Sequence, residues 1–177
     1  MKMLDLGCGK RKLEGAIGVD ISPDSDADVV HDLNKFPYAF SDNEFDSVLA
    51  DNVIEHLDDV IKVMEELYRI TKNGAAIKII VPFFRSHYAF MDPTHRHFFT
   101  VRSFDYFDPV SDFNRFYKYS RCQFVVKRVV FDEPMRHTVS GKMLRWLANR
   151  YPVLYEARLS MLFPLNTLTY YLETCKK

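Results

Sequence analysis

"MLDLGCGKRKLEGAIGVD", Met3 to Asp20, is the stretch on which the reading of the chain turns. A short apolar run leads into Gly7-Cys8-Gly9, and a second run closes on Asp20. Strand, glycine turn and second strand ending in an acid is the layout of a nucleotide-binding crevice, because glycine lets the backbone turn sharply and approach a ligand closely. A dinucleotide site also needs a third glycine and a helix whose N-terminus faces the pyrophosphate. No glycine stands at Lys10, Arg11 or Lys12. Eight residues separate Gly9 from Gly18, with Gly15 among them, so at most a turn or so of helix fits. The stretch suits a ligand without phosphates.

The neighbouring acids sharpen this. Asp5 lies just before the turn. Asp20 ends the second strand, where a carboxylate accepts hydrogen bonds from ribose hydroxyls. Asp32, in "VVHDLN", follows a third strand, in reach of an adenine amino group. Acids at successive carboxyl ends of parallel strands converge on the crevice where such sheets bind ligands. They suit a ligand that is adenosine-like, carries an amine and is cationic.

Working outward, short apolar runs predict strands near Lys2–Leu6, Ala16–Asp20, Ala27–His31, Phe45–Ala50, Ala75–Val81, Cys122–Phe131 and Leu168–Glu173. Continuous runs such as "AIKIIV" suit a sheet covered on both faces. In "DNVIEHLDDVIKVMEELYRITKNG", Val53, Leu57, Val60, Ile61, Met64, Leu67 and Tyr68 recur at helical spacing. Asp58-Asp59 reads as a restart after a first short turn, and Asn73-Gly74 as the stop. Asn52 and Glu55 read as a capping box, His56 as a capping or packing residue, and Cys8 as a small loop filler. The order implies a doubly wound, mostly parallel α/β sheet with helices on both faces.

"LDLGCG", "GVDIS", "HDLN", "FDSVLADNVIEHL" and a strand ending "IIVPF" together resemble the class I S-adenosylmethionine-dependent methyltransferases, most closely the small type-11-like group whose fourth-strand signature ends in Glu-His-Leu. The likeness runs motif by motif through the first half and by layout through the second. It implies a Rossmann-like seven-stranded sheet with the last strand antiparallel, and S-adenosylmethionine as cofactor. It also implies that Asp5, Gly7, Cys8 and Gly9 hold the methionine part and Asp20 the ribose, with Ile21 packing on adenine. Asp32 and Leu33 would meet the adenine edge, and Asp51 the amine. The missing third glycine departs from the pattern, and Lys10 and Arg11 are placed to close on the methionine carboxylate.

Methyl transfer from a sulfonium is a displacement that needs the acceptor held in line and shielded; a base is needed only where the acceptor must lose a proton. Residues 83–119 hold 13 of the chain's 26 aromatics and three of its six histidines, and read as an acceptor-side cover. His87, His95 and His97 are its candidate acceptor-site or catalytic residues, with Arg85 and Arg96 as anion anchors. The bland reading is that Asp92-Pro93-Thr94 is a turn and the histidines cap or pack. His95 and His97 with Asp92 lack a further firm ligand, so no metal is expected. Residues 140–163 form a basic helical insertion before the last strand. Such a helix most often covers a sheet, and it could also lie on a membrane surface or grip an anionic acceptor.

One domain is expected over residues 1–177. The formal net charge is zero, but residues 1–80 hold 9 Lys/Arg and 16 Asp/Glu, and residues 81–177 hold 15 and 8. Either the second half faces something anionic or the halves attract each other. Three scattered cysteines fit a reducing, cytoplasmic setting, with no signal peptide and no bilayer-spanning run expected. The acceptor is expected to be a small or lipid-like molecule or a glycan. RNA contact through Arg115, Lys118, Arg121, Lys127 and Arg128 has slim support, and DNA is not expected. The competing readings are a non-catalytic S-adenosylmethionine-binding partner or regulator, an RNA-directed methyltransferase and a nicotinamide-dependent oxidoreductase.

Overall fold

The computed structural model describes residues 1–131 and 139–176. Its strands are β1 (Met3–Leu6), β2 (Ile17–Asp20), β3 (Val29–Val30), β4 (Phe45–Asp51), β5 (Thr71–Pro82), β6 (Phe124–Phe131) and β7 (Thr167–Thr174). They form one sheet in the order β3-β2-β1-β4-β5-β7-β6. β1 to β5 pair in parallel, and β7 runs antiparallel between β5 and β6. The expected doubly wound, Rossmann-like sheet with an antiparallel last strand is the one observed. Leu4, Val48, Ile77 and Leu172 sit side by side across four strands and are all but fully buried. Burying each such side chain contributes about 1.5–3 kcal/mol. The chain leaves β1 in one direction and returns to β4 on the other side, so the strand order reverses between them and opens a crevice at their carboxyl ends.

Residues 1–53 contain no helix. Between β1 and β2 the polar backbone is satisfied by direct bonds instead: Gly7 N–H and Cys8 N–H donate to Val19 O, at 2.8 and 3.2 Å, and Asp26 N–H donates to Gly9 O at 2.8 Å. The narrow spacing read from Gly9 to Gly18 thus ends in no helix at all.

After β4 comes a 3-10 turn, Ile54–His56, and then α1 (Val60–Ile70). Asp59 caps α1 by accepting from Lys62 N–H, as a restart at Asp58-Asp59 requires. Two local expectations need correction. Asn52 and Glu55 form no capping box: Val53 is the N-cap, with no side-chain bond. Asn73-Gly74 do not stop the helix. The apolar face of α1 ends at Ile70, and Thr71 opens β5 while its hydroxyl donates to Leu67 O at 2.6 Å. Asn73-Gly74 fall in an irregular stretch of β5 between the pairs Phe45↔Thr71 and Ser47↔Ala76, with Gly74 at φ 78°.

The aromatic segment folds over the carboxyl end of the sheet as α2 (Tyr88–Met91), a 3-10 turn at Asp105–Phe107 and α3 (Asp112–Tyr117). Phe83, Phe99, Phe104 and Phe107 are buried, and Phe104 meets Tyr170 of β7 edge-on at 4.7 Å between centroids. The basic segment forms α4 (Val139–Arg150), a turn at Pro152–Leu154 and a wide π-type turn at Tyr155–Leu159. α4 docks on the edge strand β6: Ala148 is buried, and the Asn149 amide bonds both Phe131 N–H and Phe131 O. Covering the sheet is therefore one thing this segment does.

Candidate active site

The turn after β1 shapes one side of the crevice. Gly7 has φ 68° and Gly9 φ 54°. A Cβ at Gly7 would stand 2.5 Å from Val53 Cγ2, so the position demands glycine twice over. Asp5 is buried and accepts from Leu13 N–H at 2.7 Å; burial lifts its pKa above the usual carboxylate range. Asp20 spans the loop: one oxygen accepts from Gly9 N–H and the other from Ser22 N–H, both at 2.9 Å. Each oxygen keeps a lone pair that can accept from a ribose hydroxyl. A cleft of about 290 Å³ opens here, lined by Asp5, Gly7, Cys8, Gly9, Lys10, Arg11, Leu49, Asp51 and Asn52.

The other donor-side expectations divide. Ile21 is 63% exposed, available for a flat ring to pack on. Asp32 is half-buried and accepts from Asn34 N–H at 3.0 Å. Leu33 has its side chain in the core, and its carbonyl accepts from Tyr38 Oη at 3.0 Å.

A second cavity of about 370 Å³ adjoins the first and shares Asn52 with it. Its lining includes Glu55, His56, Tyr88, Asp92, His95 and Asn166. Asn52 sits at φ 51°, and its side chain donates to Asp51. The loop 92–97 is clamped over the 3-10 turn by Arg96 N–H and His97 N–H, both donating to Glu55 O. Glu55 is 1% exposed, and neither of its carboxylate oxygens has a hydrogen-bond partner among the described residues. Burial pushes its pKa up to about 7, and the charges of Asp51 and Asp92 push the same way. Burial, then His95, lowers that of His56, favouring the neutral ring.

Of the three candidate histidines, the structure brings only His95 into this cavity. His87 is exposed and lies against the Tyr88 ring at 4.0 Å. His97 lies outside the cavity lining, with its buried Nε2 unpartnered among the described residues. The two candidate anion anchors are engaged: Arg96 pairs with Asp58, and Arg85 donates to Ser160 Oγ at 3.1 Å. Glu55, His56, Asn52 and Asn166 were not expected at the site. The signal for the first two lay in the Glu-His of the fourth-strand motif, which the capping pattern masked.

Residues 4–79 match the family model described as "Methyltransferase domain". No curated protein matches the chain. Among solved structures, a SAM dependent methyltransferase from Archaeoglobus fulgidus is 20% identical with a TM-score of 0.58, over 97% of this chain and 85% of that one. A putative methyltransferase of Haloferax volcanii, solved in complex with the Trm112 methyltransferase activator, is 16% identical with a TM-score of 0.60, over 99% and 83%. A phosphoethanolamine N-methyltransferase from Haemonchus contortus, in complex with S-adenosyl-L-methionine, is 15% identical with a TM-score of 0.57, over 100% of this chain and 50% of that one. The motif order of the first half agrees with the family model that matches it, and the fold of the whole is the one these methyltransferase structures share.

Proposed function

We propose that the chain transfers the methyl group of S-adenosylmethionine to a small polar acceptor held in the cavity beneath residues 88–95. The observation that carries this is the pair of adjoining cavities joined at Asn52, one floored by the glycine turn and its acids, the other walled by the cover. The donor set fits the cofactor. Asp20 would take the ribose, Ile21 and Asp32 the adenine, Asp5 and Asp51 the amine, and Lys10 and Arg11 the carboxylate. When bound, the cofactor supplies an electrophilic methyl on a sulfonium. The protein's part is to hold the acceptor in line and keep water out, which in favourable models accounts for up to ~7–11 kcal/mol of the barrier. A volume of about 370 Å³ suits a small molecule, and the polar walls favour a hydroxylated or amine-bearing one over a lipid tail. Three free cysteines fit a reducing, cytoplasmic setting, and no helix among the described residues is long and apolar enough to cross a membrane.

Calorimetry tests the donor half. Wild type binds S-adenosylmethionine, and Asp20→Ala weakens binding ~10–100-fold, the loss expected for ~1.5–3 kcal/mol of charge-assisted hydrogen bonding. No binding by wild type, or equal binding by the variant, would sink the reading. Binding without turnover across acceptor classes would favour the non-catalytic alternative.

A further inference from the structure

The acceptor cavity holds three side chains whose arrangement the displacement itself does not explain. Glu55, His56 and His95 each bring a ligand atom within 4.8 Å of the other two. They come from two segments, the 3-10 turn after β4 and the loop after α2, which the bonds from Arg96 N–H and His97 N–H to Glu55 O lock together. The imidazoles stand 4.6 Å apart between centroids at 68°, so their planes converge rather than stack.

The surrounding bonds prepare both rings to act as ligands. Thr94 Oγ1 donates to Asp92 Oδ1 at 2.7 Å, which leaves it to accept from His56 Nδ1–H at 2.8 Å. His95 Nδ1–H donates to Ala89 O at 3.1 Å. Each histidine is thereby fixed with its proton on Nδ1 and a lone pair on Nε2. A chain of carboxylate, hydroxyl or carbonyl behind the imidazole is the arrangement that orients metal-bound histidines. The independent observation is Glu55: a carboxylate sealed from solvent, with neither oxygen partnered among the described residues. A buried polar group of that kind costs free energy unless a partner meets it.

We propose that Glu55, His56 and His95 form a binding site for a divalent first-row transition ion in the acceptor cavity. Two neutral imidazoles and one carboxylate suit the iron, cobalt and zinc class over magnesium or calcium, and leave coordination positions open. The expectation of no metal rested on the lack of a further firm ligand beside His95, His97 and Asp92; the fold supplies two, Glu55 and His56, from the turn after β4, and His97 and Asp92 are not among the three. The use of the site rests on the methyltransferase reading. An acceptor hydroxyl held against the ion sheds its proton to solvent more readily. Its oxygen then forms the bond to the methyl carbon as the carbon–sulfur bond breaks, and the electron pair stays on sulfur. The acceptor class this selects is a hydroxyl, with a neighbouring oxygen able to share the ion.

Cobalt(II) titration of the chelator-treated full chain, without S-adenosylmethionine, tests the site apart from the donor reading. The expected result is saturable visible d–d absorption at one ion per chain, displaced by zinc. Glu55→Gln and His95→Ala each weaken cobalt binding at least ~100-fold, while Thr94→Val, which only frees the His56 ring, weakens it ~10-fold. His31→Ala, whose ring bonds Lys35 O and is not one of the three ligands, binds as wild type does. Far-UV circular dichroism checks that each variant is folded. Absorption that does not saturate in wild type, or that is unchanged in folded Glu55→Gln and His95→Ala, overturns the proposal. Failure of S-adenosylmethionine to bind in the parallel calorimetry would sink the donor reading and leave the metal site standing.

Discussion

Gly7 shows how little freedom the crevice leaves to single residues. Its φ of 68° costs an L-residue ~1–2 kcal/mol, and a methyl group there would collide with Val53. Overpacking of that kind typically costs a further ~1–3 kcal/mol. Gly7→Ala should therefore lower unfolding free energy by ~2–5 kcal/mol in denaturant titrations, and cofactor affinity with it. Gly9 has the same hand but open space at its Cβ, so Gly9→Ala should cost only the conformational part. The cysteines offer a second test at this scale. Burial raises the Cys8 thiol pKa, helped by Asp5 and Asp20, and lifts that of Cys122 to about 11. At pH 8 a thiol of pKa 11 is only ~0.1% thiolate, and the thiolate is the reactive form. Cys175, half-buried near the end of the chain, should be alkylated first; rapid labelling of Cys122 in the native protein would contradict the packing described.

Helix α1 carries the clearest test at the scale of elements. Arg69, in its last turn, donates to Glu66, to Asp42 and to the carbonyls of Phe40 and Tyr38, tying the loop before β4 to the helix. Burial raises the Glu66 pKa, but the bonds from Arg69 and Tyr38 N–H outweigh it, so the net shift is downward. A carboxylate with a depressed folded pKa stabilises above its unfolded value, here 4.5, and that contribution is lost as pH falls through the folded one. Acid titration of stability should therefore steepen below about pH 4.5 in wild type and flatten in Arg69→Met, which should also lose ~1–3 kcal/mol at neutral pH. A parallel acid limb in the two proteins would refute it. The strands were legible from sequence because each is an apolar run whose burial is set by its own composition. The end of α1 was not: Asn73-Gly74 is a sound local stop signal, and the pairing of Thr71 with Phe45 and Thr174 overrode it. Glu55 was misread for the same reason. N-x-x-E looks like a cap within four residues, and the segment 92–97 that bonds Glu55 O lies far outside that window.

Across the whole molecule, stability should be graded along the sheet. β1, β4, β5 and β7 are central and largely buried, while β3 contributes two residues at an edge and no helix covers its approach. Amide exchange should be slowest in β5 and β7 and fast in residues 21–32. S-adenosylmethionine should slow exchange in residues 7–32 far more than in α4, because its expected contacts lie there. Uniform protection would argue against that placement. The opposite charges of the two halves meet in scattered pairs such as Arg96–Asp58, both more than half exposed; such pairs contribute little individually. The attraction of the halves is thus realised at points, and it does not account for the whole excess.

The cover has one further property that bears on how such a protein diversifies. Phe83 and Phe99 lie side by side in a parallel bridge, with Phe84 N–H donating to Phe99 O at 3.0 Å. The chain between them starts and ends at nearly one place, as excisable surface loops do. Everything it contributes to the acceptor cavity, from Tyr88 to His95, arrives as a cassette whose exchange leaves β1, β4 and the glycine turn in register. Under the proposed function, exchanging this one loop would alter the acceptor cavity while leaving the residues proposed for the donor in place.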